Sequence, residues 1–537
     1  MTTAKSKDAE DLKVGVERRE TEEAQHKAPG ALKSSHDELG LWATVRQFRK
    51  AVLVCNMLCI AAAADGYQIT LNGNIIANQG FINHVGFRNA ETGEYNLKAS
   101  YTALWGAMQS LGQLVGMLLL NPVSDRIGRK MMLYLLWIIL AGSLMLETFV
   151  RDWKDWTGAK ILAGIGVGCV QATLPVYISE WSPANIRGAM VLAYGFWNAF
   201  GKFLPPLVLT LVQAEDPLNY KVPILTQWGF LGLMLPILIW LPETAAYYAI
   251  RGQDDKGKAT LRRVNGGVPG YNVEAEYAII RNTTLEELHR QQELQPQGWR
   301  QLLDSYLEVF RGPNARRTLG AALPICTQQL TGLAFLNVYA SLFFKQSGFD
   351  NAFLITTILT VISFATATCL ILATDTFGRR PVVLASAIGC TVAMLLVGIL
   401  GQVEKTKPLQ NFLIFVACVW SFFNNALGGL GWAFVGEVAS QNLRARTAGV
   451  AAASSVLFGL TFNTALPVMI DVEGANWGYN TAWLFFGTGT CMSILGWFFA
   501  PEPSRRNAAE LDEMYEKGVP AWRMRNYVTT VQTQAQE

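Results

Sequence analysis

Twelve predominantly apolar stretches of roughly twenty residues, near 51–77, 99–120, 131–150, 157–178, 188–213, 224–241, 318–344, 352–374, 382–401, 411–435, 448–470 and 481–500, constrain this chain more than any other feature. About 20 apolar residues cross a hydrocarbon layer as a helix, because in lipid a segment has to satisfy its own backbone N–H and C=O groups. With 51% hydrophobic and 16% charged residues, the chain is too apolar for an ordinary soluble protein of 537 residues. The expected fold is an all-α membrane protein of twelve transmembrane helices.

The spans divide six and six, because polar motifs between them recur. Asp125-Arg126-Ile127-Gly128-Arg129-Lys130 returns as Asp375-Thr376-Phe377-Gly378-Arg379-Arg380, an offset of 250 residues. Glu180 and Arg187 return as Glu437 and Arg444 at 257, and Pro242-Glu243 returns as Pro501-Glu502 at 259. An internal duplication into two pseudo-symmetric six-helix halves accounts for all three. The boundaries expected are a disordered cytoplasmic tail over 1–50, an N-terminal half over 51–242 and a linker over 243–317. A C-terminal half over 318–502 and a short cytoplasmic tail over 503–537 complete the chain. Glycine permits the tight turn in each Asp-x-x-Gly-Arg loop, and the positive-inside bias places those loops, the linker and both termini in the cytoplasm.

The net charge of +3 is spread over loops beside spans, which argues against nucleic-acid binding. All eight cysteines fall inside apolar runs without zinc-like spacing and read as buried small hydrophobes. No metal site, cofactor or enzymatic motif is expected, and no cleavable leader. The charged 243–317 linker reads as short amphipathic helices lying against the ends of the spans, and its Asn282-Thr-Thr sequon as unglycosylated.

In order and spacing, the motifs resemble those of the sugar porters of the major facilitator superfamily, with fungal members nearest. The resemblance covers roughly residues 50 to 525. It rests on the two Asp-x-x-Gly-Arg loops, Pro175-Val-Tyr-Ile-Ser-Glu180-Trp-Ser-Pro with Arg187, and Gln328-Gln329-Leu-Thr-Gly332. Trp432 five residues before Glu437, and Lys517-Gly-Val-Pro-Ala-Trp522, extend it. It implies the fold of that superfamily, a plasma-membrane location, and a substrate site near the midplane between the halves. It also implies a cytoplasmic gate of ion pairs built from Asp125, Arg129, Glu180 and Arg187 in one half, and Asp375, Arg379, Glu437 and Arg444 in the other. Lipid anchoring by the basic residues is the plainer alternative, but it needs no carboxylates.

Polar residues inside the spans carry the functional reading, since an acid at the centre of a membrane helix is costly without a cavity or partner. Asp65 lies in the first span, and proton-coupled relatives carry their acid where this chain has Gln68. Lys160 stands where relatives show Arg, so Asp65 and Lys160 are the candidate proton-coupling pair, with Lys202 as another partner for Asp65. Relatives place Gln at the positions of Gly195 and Lys202, so Lys202 either pairs with a buried acid such as Asp65 or meets a carboxylate or other electron-rich group on the substrate. Gln328, Gln329 and Trp432 are the main substrate-binding candidates, because an amide offers the donors and acceptors that match a hydroxyl. Asn198, Gln171, Lys202 and Asn337 join them. Gln109 and Gln113, one turn apart, face either a polar cavity or a neighbouring helix. Glu147 is expected at the outer interface, solvated.

The expected function is secondary transport of a sugar or sugar-like polyol, with membrane lipid as a further partner. It works either as a symporter with protons as partners and Asp65 carrying the proton, or, since Gln68 holds the usual proton-carrying place, as a facilitator that runs down the substrate gradient. Transport of another metabolite, an organic acid or an exported fungal product, is the alternative. A nutrient sensor that moves nothing is a third reading.

Overall fold

A computed structural model describes residues 41–88, 93–183, 186–293, 300, 306–404, 406–439, 444–471, 474–503, 506 and 508–530. Helices occupy every predicted span. In the first half they run over Arg49–Leu58 and Ile60–Ile75, Ala99–Ile127, Arg129–Thr148, Trp153–Trp181, Arg187–Glu215 and Lys221–Trp240. In the second they run over Gly312–Leu330 continued by Ala340–Gln346, then Ala352–Phe377, Arg379–Leu400, Lys407–Val438, Arg444–Ile470 and Thr481–Phe499. These twelve are numbered below as spans in chain order. Residues 41–50, assigned from sequence to the tail, are helical over Leu41–Gln47 and from Arg49 onward.

Among the described residues, nine helices are long and apolar enough to cross a membrane on length and composition alone. The second, fifth and seventh spans complete the set of twelve. The seventh span breaks at Gly332 (φ 95°), passes through a π-helical turn over Ala334–Val338 and resumes at Ala340. Large apolar side chains such as Leu118, Ile138, Ile239, Phe415 and Leu457 stand exposed on the outside, as a lipid-facing surface requires.

Cys369 and Cys491 are exposed, contrary to the expectation that every cysteine is buried. An apolar run in a membrane helix has a lipid face as well as a core face, and an apolar residue suits either.

Within each half, span-to-span contact depends on glycine. A Cβ at Gly164 or Gly168 of the fourth span would collide with the carbonyls of Gln109 or Gln113 on the second, and Gly112 and Gly116 return the same approach. Gly166 instead faces the side chain of Leu140.

The two repeated turns share one construction. Gly128 (φ 100°) and Gly378 (φ 85°) adopt left-handed conformations that disfavour a side chain. Over each turn sits a carboxylate from the end of the same half. Glu243 accepts from the Lys130 and Thr244 backbone N–H groups (both 3.0 Å). Glu502 accepts from those of Arg379 and Arg380 (3.0 and 3.1 Å). Each acid caps free N–H groups at a helix start, where negative charge is favoured. Burial pushes the Glu243 carboxyl up, and the two N–H groups pull it back.

The linker forms helices over Ala245–Ile250, Asp254–Asn265 and Val273–Glu293. It lies against the turn face of the bundle, with Arg263 donating to the Trp240 carbonyl at 2.9 Å.

Candidate functional site

The halves close on the face opposite the turns. Gly73 of the first span lies against the Val338 backbone of the seventh, so closely that no Cβ would fit. Lys345 donates to the Ala77 carbonyl (2.9 Å) and to Gln79 Oε1 (3.2 Å), tying the seventh span to the end of the first. Asn463 donates to Ser110 Oγ (3.1 Å), and Tyr339 donates to the Asn463 carbonyl (2.9 Å) above Gly106. Further contacts join the fifth and eighth spans, through Thr210 and Thr357 (3.0 Å) and through the rings of Phe196 and Phe364 (4.8 Å between centroids).

Below that closure lies a polar layer. Asp65 stands eight residues before Gly73 and Gln329 nine before Val338, on spans that run the same way. At 1.5 Å per residue Asp65 is about 12 Å beneath the contact, and Gln329 lies below the break and π-helical turn of the seventh span, so both halves present polar side chains beneath the closure.

On the N-terminal side, Asp65 is fully buried and accepts from Tyr194 Oη (2.9 Å), Asn198 Nδ2 (3.0 Å) and Gln171 Nε2 (3.3 Å to each oxygen). Asn198 and Gln171 were singled out from sequence, whereas the Tyr194 contact was not. Its signal was available, since Tyr194 and Asn198 share a face of the fifth span four residues apart. Lys202, one turn beyond Asn198, has its backbone nitrogen 3.0 Å from where a Gly66 Cβ would stand. Gln113 donates to Gln171 (2.7 Å), and Asn72 donates to Gln109 (2.7 Å), so both glutamines of the second span bond to neighbouring helices.

On the C-terminal side, Gln328 and Gln329 are partly buried, and each makes one long side-chain bond among the described residues. Gln328 Nε2 reaches the Asn424 carbonyl at 3.4 Å and Gln329 Nε2 reaches Ser455 Oγ at 3.5 Å. Asn424, absent from the candidate set, donates to the Gln328 carbonyl (3.1 Å) and to Thr331 Oγ1 (3.2 Å), bracing the break in the seventh span. Asn337 is partly buried in the π-helical turn. Trp432 is 53% exposed, one turn on from Gly428, which abuts the Gln328 amide.

A second polar cluster lies inside the N-terminal half and corrects two expectations. Glu147 is fully buried, and Lys160 is its partner at 2.9 Å, with neither side chain exposed. Gln68 also donates to Glu147 Oε1, Gln227 donates to Oε2 at 3.0 Å, and the Lys160 ammonium sits 4.3 Å from the Trp156 ring centroid. Glu147 is thus a sealed ion-pair member and not a solvated interface residue. Lys160 pairs with it and not with Asp65. Proximity of Glu147 to the end of its span suggested water; the short loop before the fourth span instead folds it against Lys160.

Of the residues expected to form a gate, Arg129 Nε pairs with Glu180 Oε1 at 3.2 Å, joining the third span to the fourth. Arg187 is exposed and Arg379 partly buried. The side chains of Asp125, Asp375, Glu437 and Arg444 lie outside the described residues.

Two six-helix repeats closed over a polar layer define a multi-pass membrane transporter of the major facilitator superfamily. The profile described as "Sugar (and other) transporter" matches residues 54–515, and the chain belongs to that family. It is 27% identical to the MFS transporter fmqE of Aspergillus fumigatus over 94% of each chain. It is 29% identical to the probable glucose transporter rco-3 of Neurospora crassa over 89% of this chain and 81% of that one. Among solved structures, the proton:xylose symporter XylE bound to 6-bromo-6-deoxy-D-glucose superposes with a TM-score of 0.65, at 21% identity, over 88% of this chain and 100% of that one. A partially occluded inward-open form of XylE from E. coli gives 0.62 at 22% identity, over 86% and 100%.

Proposed function

We propose that the chain moves a sugar or sugar-like polyol across the plasma membrane by alternating access, as a proton symporter with both termini in the cytoplasm. The observation that carries this reading is the pair Gln328 and Gln329. Two amides beneath the closure each make one long bond among the described residues, which leaves donors and acceptors for hydroxyls. Gln171, Asn198, Asn337, Trp432 and Lys202 supply the rest of the lining. A rocking of one half against the other would open the layer to each side in turn.

Asp65 is the carboxylate assigned to the proton. It is buried at substrate level, where an ionisable group is retained only for a reason. Arg129 and Glu180, with Asp125, Arg187, Asp375, Arg379, Glu437 and Arg444, form the latch on the turn face. Lys202 favours a second reading, transport of a charged metabolite, because a neutral sugar needs no ammonium.

The test is uptake of labelled sugars, polyols and organic acids into vesicles holding the purified protein, under an imposed pH gradient. Accumulation of a polyol that needs the gradient and is lost in Asp65→Asn supports the reading. Equilibration without accumulation removes the symport, and uptake of none of the polyols removes the substrate class.

A further inference from the structure

Lys202 makes no hydrogen bond and no ion pair within 4.0 Å among the described residues, although it lies in the middle of a membrane helix. Its electrostatic partner is Asp65, which is fully buried and whose oxygens are occupied by Tyr194, Asn198 and Gln171. Lys202 itself is partly exposed. Two turns earlier on the same side of the fifth span, Gly195 is exposed, with no atom within 4 Å of where its Cβ would be. That side of the helix therefore borders open space, whereas the side bearing Gly201 is pressed against Ala63. A cation in this position is held without a counter-charge in contact, beneath the same closure as the amides of Gln328 and Gln329.

Resting on the polyol reading above, we infer that the substrate is a polyhydroxylated carboxylate, a sugar acid, whose carboxylate is received by Lys202 while its hydroxyls meet Gln328 and Gln329. Tyr194, Asn198 and Gln171 already occupy the Asp65 oxygens, so the donors of the Lys202 ammonium are left for an anionic oxygen of the substrate. A single ammonium is one positive point charge, which matches one carboxylate and leaves half the charge of a phosphate dianion uncompensated.

Vesicles holding the full chain are given labelled galacturonate, glucose, lactate or glucose 6-phosphate at equal concentration. The proposal predicts at least tenfold faster initial uptake of galacturonate than of the other three. Lys202→Gln lowers the galacturonate-to-glucose ratio at least tenfold, and Lys202→Arg, monodisperse by gel filtration, keeps most of it. Glucose taken up as fast as galacturonate, with the ratio unmoved by Lys202→Gln, overturns the anion site and leaves the polyol reading standing. Lactate equal to galacturonate overturns the proposal together with the polyol reading, since hydroxyls then count for nothing. Preference for glucose 6-phosphate overturns the carboxylate.

Discussion

Glu147 and Lys160 pair at 2.9 Å with both side chains out of solvent, and the pair welds the third span to the fourth with help from Gln68 of the first and Gln227 of the sixth. All four residues belong to one half, so a rocking of the halves would carry the cluster as a body. Removing one partner of a buried pair leaves a lone charge and costs about 3 to 5 kcal/mol. Glu147→Gln and Lys160→Met should each lower the unfolding temperature of the purified protein sharply, and the double variant should recover much of the loss. Additive single effects in that cycle would show that the pair contributes no coupling.

How much of this was readable beforehand depended on whether a residue's partner was local. The twelve spans, the repeat and the two glycine turns rest on length, hydropathy and short motifs, and the structure carries them all. Asp65, Gln171 and Asn198 were candidates because polar residues in apolar helices need a reason, and they converge on one another. The Glu147–Lys160 pairing was hidden, because a carboxylate near a helix end looks solvated until the packing of four helices is known. The exposure of Cys369 and Cys491 was hidden for the opposite reason, since lipid and protein core ask for the same side chains.

Gln328→Ala and Gln329→Ala should each weaken substrate binding by about 0.5 to 1.5 kcal/mol, roughly twofold to tenfold, while expression and monodispersity stay normal. Their intramolecular bonds are long, at 3.4 and 3.5 Å, so little fold stability is lost with them. Binding measured by tryptophan quenching or calorimetry decides it. Unchanged affinity in both variants would move the site elsewhere.

Replacing Glu243 or Glu502 by Gln turns one acceptor into a donor facing a backbone N–H at a helix start. Each change should destabilise its own half by about 1 to 3 kcal/mol, the cost of an unsatisfied buried donor. Thermal unfolding of both single variants checks the symmetry of the two caps. A loss in one half only would mean that the repeat is geometric and not energetic.

Lys256 and Tyr95 lie on opposite faces of the bundle, one on the linker and one in the segment between the first two spans. With the linker cytoplasmic, an impermeant thiol reagent applied to intact cells should label Tyr95→Cys and miss Lys256→Cys. The reverse pattern would invert the topology and with it the assignment of the latch.

Alternating access requires the closure between Lys345 and Gln79, at 3.2 Å, to open in every cycle. The most direct test joins Gln79→Cys and Lys345→Cys with a short cleavable bifunctional thiol reagent and follows substrate uptake before and after cleavage, with each single variant as control. The account predicts that uptake stops in the linked protein, survives the reagent in the single variants and returns on cleavage. Full uptake through the linked protein would contradict it.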